Sequence, residues 1–271
     1  MTFFIEHEIV LKPNAKPVRK APRRLSPKIL EVAQEEIDKM LREDIIETSK
    51  SDWCSRPVIV KKSDGSYRFC IGYRDLNKVT EEDAYPMKNV DTILDKLRKA
   101  KYIFQIDLKQ AFMQILVAEA SRKYTAFGVQ GKGLYQFKRM PFGLVNSPKT
   151  FVRLIDALFG LEYDPNVFAY LDDLIIISED FESHLGLLEK VLKTLVEAGL
   201  KINKDKCEFA CTSVTYLGYL FNKDGLRPDP ERKNQSWICQ APLTLKNSDG
   251  CCECSDGIRG LLKMKPRKKF L

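Results

Sequence analysis

Apolar residues recur at three- and four-residue spacings in three stretches of the chain, and each stretch begins or ends on a residue that punctuates helices. Ser26 followed by Pro27 is an N-cap and first-turn pair, and Leu30, Ala33, Ile37, Met40 and Leu41 continue as one face of an amphipathic helix. Ser147-Pro148 repeats that signal ahead of Phe151, Leu154, Ile155 and Leu158. A third helix is predicted from about 181 to 198, with Leu185, Leu188, Leu192 and Leu195 as its stripe and Gly199 placed to end it. All three stripes read as core.

Between the helices, β-branched and aromatic runs bounded by turn residues predict strands. Residues 57–62 and 67–71 read as a hairpin around Ser63-Asp64-Gly65-Ser66, with Lys61, Lys62 and Arg68 expected on one basic surface; a solvated hairpin edge is the plainer alternative. Further strands are predicted at 102–106, on both sides of Asp172-Asp173, at 207–210, and as a hairpin over 214–220. Strands and helices in mixed order, without a regular βαβ repeat, indicate an α+β fold. The proline-rich stretch 12–25 has neither period and reads as an extended linker, so folding is expected to start after it.

Two adjacent carboxylates, Asp172 and Asp173, interrupt the run Phe168-Ala169-Tyr170-Leu171-Asp172-Asp173-Leu174-Ile175-Ile176-Ile177, which otherwise reads as buried strand. An ordinary turn explains them, since Asp is a common turn residue; a metal site explains them too. Upstream, Asp107 closes the apolar segment 102–106, so three acids share one pattern. Mg²⁺ prefers hard oxygen ligands. Two such ions about 3.5–4 Å apart activate an attacking hydroxyl and stabilise the leaving oxygen in phosphoryl transfer.

The ordered segments Tyr67-Arg68-Phe69-Cys70-Ile71-Gly72-Tyr73-Arg74-Asp75-Leu76-Asn77, Gln105-Ile106-Asp107-Leu108, Met140-Pro141-Phe142-Gly143-Leu144 and Tyr170-Leu171-Asp172-Asp173 resemble the motifs of a reverse transcriptase, the RNA-directed DNA polymerase of gypsy-like LTR retrotransposon Pol polyproteins. The likeness runs from about 26 to 230. It implies a right-hand polymerase, with fingers at about 26–81 and 115–145 and palm at about 82–114 and 146–230. Asp107, Asp172 and Asp173 then match the catalytic carboxylates that hold two Mg²⁺ ions, with Mn²⁺ as a possible substitute. Lys62 and Arg68 match cations that grip the incoming deoxyribonucleoside triphosphate, as a point charge and a bidentate fork. Phe112 falls where the family places a ring under the nucleotide sugar to exclude a 2′-hydroxyl, against its plain reading as core phenylalanine. Phe142 falls at the templating pair, and Lys206 is a further candidate for the triphosphate. Lys61, Pro141, Gly143, Tyr170, Leu217 and Gly218 match positions that face an RNA or DNA template with its primer.

Charge qualifies the nucleic-acid reading. The chain has 45 basic and 37 acidic residues and a net charge of +8, which suits a polyanionic partner. Lys12, Lys16, Arg19, Lys20, Arg23, Arg24 and Lys28 form one acid-free run, and Lys263, Lys265, Arg267, Lys268 and Lys269 another; setting these twelve aside leaves 33 basic residues against 37 acidic ones. Two basic ends, not the body, carry the excess. No early segment combines a basic start with an apolar core, and no apolar run approaches a membrane span, which predicts an intracellular protein, cytoplasmic or nuclear, with its eight cysteines as free thiols.

The sequence departs from the family pattern at two places. Gly72 stands where the family usually has Asp, adding backbone freedom to the hairpin. Beyond Arg227-Pro228-Asp229-Pro230-Glu231 the likeness stops, and the family's thumb and ribonuclease H regions are not recognisable. The tail 231–271 carries Cys239, Cys251, Cys252 and Cys254 at spacings that match no standard zinc pattern, and a shifted reading frame over 246–259 permits residues that resemble the family's pattern after the palm. A frameshifted, poorly ordered tail is therefore expected, on a polymerase truncated after the palm. The expected function is template-directed nucleotidyl transfer by a polyprotein fragment. A non-catalytic remnant that binds nucleic acid, and a metal-dependent phosphohydrolase built on the three aspartates, are the alternatives.

Overall fold

Alternation along Tyr102–Asp107 gives the centre of the molecule its geometry. In the computed structural model this run is a strand with Ile103, Phe104 and Ile106 buried, and it pairs antiparallel with strands on both sides. The structure describes residues 4–21, 25–61, 65, 67–86, 95, 97, 100–160, 163, 166–170, 173–211, 213–216, 219–222 and 225–228, with backbone alone at 169, 170, 173 and from 208 onward. All belong to one compact unit ending at Pro228.

In chain order, the described strands are β1 (Glu6–His7), β2 (Ile46–Thr48), β3 (Arg56–Lys61), β4 (Tyr67–Gly72), β5 (Tyr102–Asp107), β6 (Leu116–Val117), β7 (Phe127–Val129), β8 (Gly133–Phe137), β9 (Val167–Tyr170), β10 (Asp173–Ser178), β11 (Glu208–Cys211), β12 (Ser213–Tyr216), β13 (Tyr219–Asn222) and β14 (Gly225–Pro228). The principal helices are α1 (Pro27–Arg42), α2 (Arg74–Val79), α3 (Ser147–Phe159) and α4 (Phe181–Glu197). A four-stranded antiparallel sheet has the order β11-β5-β10-β9. Smaller sheets are β2-β8-β7, the β3-β4 ribbon, β12-β13-β14 and the parallel pair β1-β6. Mixed helices and mainly antiparallel sheets make the fold α+β, as expected.

Period-two alternation sorts the four-stranded sheet into two faces. Phe104 and Ile106 of β5, Leu174 and Ile176 of β10 and Val167 of β9 join one apolar cluster with Phe151, Leu154 and Ile155 of α3 and Val191 and Leu195 of α4. The helices therefore cover the even-numbered face of β5. Positions 103, 105 and 107 belong to the other face. A second cluster joins Ala33, Ile37 and Met40 of α1 to Phe127, Tyr135 and Phe137 of the β2-β8-β7 sheet and to Ile71, Tyr73 and Leu76.

Several local expectations need correction. Ser26 and Pro27 do start α1, but the Ser26 side chain makes no capping bond, and Leu41 lies on the exposed margin of the apolar face. At α3 the cap position is Asn146 rather than Ser147, which is buried and donates to the Pro141 carbonyl at 3.3 Å. On α4, Leu195 is buried and Leu188 and Leu192 pack on the core as expected, but Leu185 is exposed and His184 and Val191 are buried in addition. Asp180 caps that helix by accepting from Ser183 N at 2.8 Å, and hydrogen bonds from the Ser183 side chain and then its backbone hold the Asp180 carboxyl below the usual range. Gly199, in the left-handed region at φ +67°, ends it.

Folding also begins well before residue 26. His7 and Ile9 are buried, β1 pairs with β6, and His7 Nδ1 lies 2.8 Å from Thr150 Oγ1 of α3. Burial lowers the His7 pKa to about 4, opposed in part by Asp83. The basic stretch that follows runs beside residue 54: Cys54 N donates to Val18 O and Lys20 N to Cys54 O, both at 2.8 Å. Arg19 pairs with Asp52 and Lys20 with Asp75. The tail 231–271, and with it the frameshift and thumb expectations, lies outside the described residues.

Candidate active site

The register of β5 and β10 brings two of the three acids together. Asp173 pairs directly with Asp107, the last residue of β5, and on its other side with Tyr170 of β9. Directly opposed residues of an antiparallel pair sit about 4.5–5.5 Å apart. Asp172 precedes Asp173 between β9 and β10 and lies outside the described residues, as do Lys62, Leu217 and Gly218. Among the described residues no cluster of three potential metal ligands occurs. Carboxylates are the kind of hard oxygen donor that a divalent ion such as Mg²⁺ prefers.

The chain turns sharply after Asp107. Gln110 adopts φ +50°, ψ +53°, a left-handed conformation that costs a non-glycine residue about 1–2 kcal/mol. Two interactions hold it: Met113 N donates to Gln110 O at 2.8 Å, and the buried Gln114 amide binds the loop from both sides. Gln114 Nε2 donates to Lys109 O at 2.8 Å and Lys201 O at 2.9 Å, while its Oε1 accepts from Lys201 N at 2.7 Å. Asn203 N donates to Asp107 O at 2.8 Å. This stitching brings Lys206 Nζ to 3.9 Å from Asp107 Oδ2, with the lysine side chain 68 % exposed and the aspartate 21 %. Sequence reasoning missed Gln114, although an amide inside the apolar run Phe112-Met113-Gln114-Ile115-Leu116-Val117 is a signal that something polar must be satisfied there.

The same turn places Phe112 against the Met140–Leu144 loop. Its ring centroid lies 5.1 Å from Phe142 and 5.8 Å from Phe151. Phe112 is 7 % exposed and belongs to the core cluster, whereas Phe142 above it is 47 % exposed. Pro141 is buried. Gly143 has φ +94° and needs to be glycine, because an added Cβ would be strained there regardless of space.

On the β3-β4 ribbon, Val60 pairs with Arg68 and Lys61 with Tyr67. Alternation therefore puts Lys61 and Arg68 on opposite faces, and the expectation that they line one surface is wrong for this pair. Both side chains are exposed. Gly72 pairs with Arg56 at the ribbon's end, and a Cβ there would meet Arg56 O at 3.4 Å and Val58 at 3.5 Å, ordinary contacts at the tight margin. Tyr216 pairs with Tyr219 on either side of Leu217 and Gly218.

An antiparallel sheet with helices on one face and opposed aspartates at the ends of two central strands defines the palm of a nucleic-acid polymerase. Residues 59–221 match the family of reverse transcriptases (RNA-dependent DNA polymerases), and the chain belongs to that family. It is similar to the Pol polyproteins of gypsy-like and other LTR transposons. It is 39 % identical, over 80 % of its length, to the retrovirus-related Pol polyprotein from transposon 297 of Drosophila melanogaster, and 37 % identical, over 73 %, to that from transposon gypsy of the same organism. The chain spans about a fifth of those relatives, 21 % and 20 %. Among solved structures it resembles the foamy viral protease-reverse transcriptase in complex with an RNA/DNA hybrid, with a TM-score of 0.78 and 27 % identity over 89 % of this chain and 32 % of that one. The same viral protein in complex with double-stranded DNA gives the same score and covers 42 % of that chain. The fold is that of fingers and palm. No helix among the described residues is long and apolar enough to cross a membrane.

Proposed function

We propose that this chain carries the polymerase core of a retrotransposon Pol polyprotein and performs template-directed nucleotidyl transfer, extending a primer on RNA or DNA from deoxyribonucleoside triphosphates. The observation that carries the reading is the direct pairing of Asp107 with Asp173 at one end of the central sheet. Asp107, Asp172 and Asp173 would hold two Mg²⁺ ions, or Mn²⁺ in their place. Ions held there would lower the pKa of the primer 3′-hydroxyl and neutralise charge on the triphosphate.

The chain's own residues orient the reactants. Lys206 sits beside Asp107 with a largely exposed ammonium, so it can leave one anion for another at little cost. Arg68 and Lys62 are cations for the triphosphate, and Lys61 faces the template from the other side of the ribbon. Phe112, supported from below by Phe151 and capped by Phe142, forms the wall that a 2′-hydroxyl would strike. Tyr170, Pro141, Gly143, Leu217 and Gly218 complete the template and primer surface. In this reading the fingers span about 26–81 and 115–145 and the palm about 82–114 and 146–230; the protein works inside the cell, in cytoplasm or nucleus, alongside other parts of its polyprotein.

The test is extension of oligo(dT) on poly(rA) by the purified chain with dTTP and Mg²⁺. Extension that requires primer and template, and that disappears in Asp107→Asn, supports the reading. Hydrolysis of dTTP without primer would favour a phosphohydrolase, and binding of primer and template without extension a non-catalytic remnant.

A further inference from the structure

Two asparagines from separate parts of the chain each grip the backbone of the segment beside the other. Asn77, near the end of α2, donates from Nδ2 to Gly143 O at 2.8 Å and accepts at Oδ1 from Val145 N at 3.1 Å. Three residues beyond Gly143, Asn146 reaches the opposite way. Its Nδ2 donates to Glu81 O at 2.8 Å and its Oδ1 accepts from Asp83 N at 3.0 Å. Each amide thus uses its donor on a carbonyl and its acceptor on an N–H, which fixes both side-chain orientations, since a flip would set like groups against each other. Residues 77–83 and 143–146 form a reciprocal clasp.

Asn146 is well placed to do something else and does not. It occupies the N-cap position of α3, where Asn is a favoured capping residue, yet its side chain makes no cap bond and is 7 % exposed. The amide is committed to the segment after α2. Further bonds reinforce that segment on α3: Arg153 pairs with Asp83 at 2.8 Å and stacks over the Tyr85 ring at 4.6 Å, Tyr85 donates to Asp156 at 2.9 Å, and Lys149 donates to the Asp83 carbonyl.

Phe142 directly precedes Gly143 of the clasp, and its ring centroid lies 5.1 Å from that of Phe112. It is held by Pro141, whose carbonyl accepts from Ser147, and by Gly143, whose left-handed backbone permits the Asn77 bond. We propose that Asn77 and Asn146 are positioning residues that fix the Phe142 ring over Phe112 and thereby set the shape of the nucleotide-binding surface. This assignment rests on the polymerase reading above. The two amides act on nucleotide binding through the loop, without touching the reacting atoms.

The experiment has a structural arm and a kinetic arm. Hydrogen exchange of Asn77→Ala should rise about tenfold or more in the segment holding the Val145 amide, and of Asn146→Ala in that holding the Asp83 amide, with β5 and α4 unchanged. In primer extension, Asn77→Ala should raise KM for the incoming nucleotide about fivefold to tenfold and leave kcat within about twofold. Asn77→Asp keeps the acceptor for Val145 but sets a second carboxylate oxygen against the Gly143 carbonyl, so it should leave the KM raised. Unchanged exchange in both segments overturns the clasp. Raised exchange with unchanged KM in an active enzyme overturns its role in nucleotide binding. An inactive wild-type chain whose exchange responds as described overturns the polymerase reading and the kinetic role that depends on it, while the clasp stands.

Discussion

The central sheet and the β3-β4 ribbon both consist of antiparallel strands, yet they hold their residues differently. Leu174, Ile175 and Ile176 of β10 are at most 1 % exposed, and the sheet is backed by α3 and α4. On the ribbon, Val58 and Val60 are 45 % and 41 % exposed, and only Ile71 is buried. A two-stranded ribbon is marginal without packing on a second layer. The lesson is a division of labour: the aspartates sit on a scaffold that cannot shift without disturbing a packed core, whereas Arg68 and Lys61 sit on an element whose backbone opens at low cost. In the polymerase proposed above, that contrast would pair rigidly held metal ligands with a yielding ribbon that carries Arg68 toward the triphosphate and Lys61 toward the template.

The largest expected effect separates chemistry from stability on the sheet itself. Asp107→Asn should reduce primer extension about a thousandfold or more while the thermal midpoint stays level or rises, because Asp107 faces another acid position. A parallel loss of folding would show that Asp107 is structural. On stability alone, Ile106→Ala should cost about 3 kcal/mol, since Ile106 is fully buried between sheet and helices. Val60→Ala on the ribbon should stay within about 0.5 kcal/mol. Equal costs, measured by urea unfolding, would erase the contrast between the two regions.

A pH titration of stability sharpens it from the N-terminal side. His7, buried at 1 % exposure, has a folded pKa of about 4 against 6.5 when unfolded. The unfolded chain binds the proton first. The stabilisation is therefore complete above about pH 6.5, is lost as pH falls toward 4, and amounts to about 3 kcal/mol. His7→Asn should flatten that part of the profile. A smaller effect is expected at Phe112→Val: ribonucleotides should compete several-fold better while deoxyribonucleotide use persists, and unchanged discrimination would return Phe112 to a purely core role. Smallest of all, Ser26→Ala should change stability by less than about 0.5 kcal/mol, because Ser26 makes no cap bond.

The parts legible in the sequence were those governed by short-range periods. Apolar and β-branched runs located β5 and β10, and the run around Asp172-Asp173 pointed to strands on both sides of the acids. Helical spacing found α1, α3 and α4 within a residue or so of their ends. Phase was harder: Leu185 looked like core because the stripe was read through leucines, while the helix turns His184 inward against Phe104, with ring centroids 4.0 Å apart. That choice depends on the sheet beneath, which no helical wheel contains. The docking of the first twenty residues was illegible for a similar reason, since it relies on backbone bonds such as Lys20 N to Cys54 O between segments with no pattern in common. The pairing of Asp107 with Asp173 followed from strand order only after the family likeness was recognised; the register itself comes from the packed face. Asn77, Asn146 and Gln114 left the weakest trace, because a side-chain amide bound to distant backbone has no sequence period.

The central claim is that Asp107 and its partners across the strand pair form one divalent-metal site on the rigid sheet. Its most direct test is a Mn²⁺ titration followed by electron paramagnetic resonance, with primer, template and a non-hydrolysable deoxyribonucleotide present, comparing the wild-type chain with Asp107→Asn and Asp173→Asn. The account predicts tight binding to the wild type that weakens about tenfold or more in Asp107→Asn, with a smaller loss in Asp173→Asn. Equal Mn²⁺ affinity in all three proteins would contradict it.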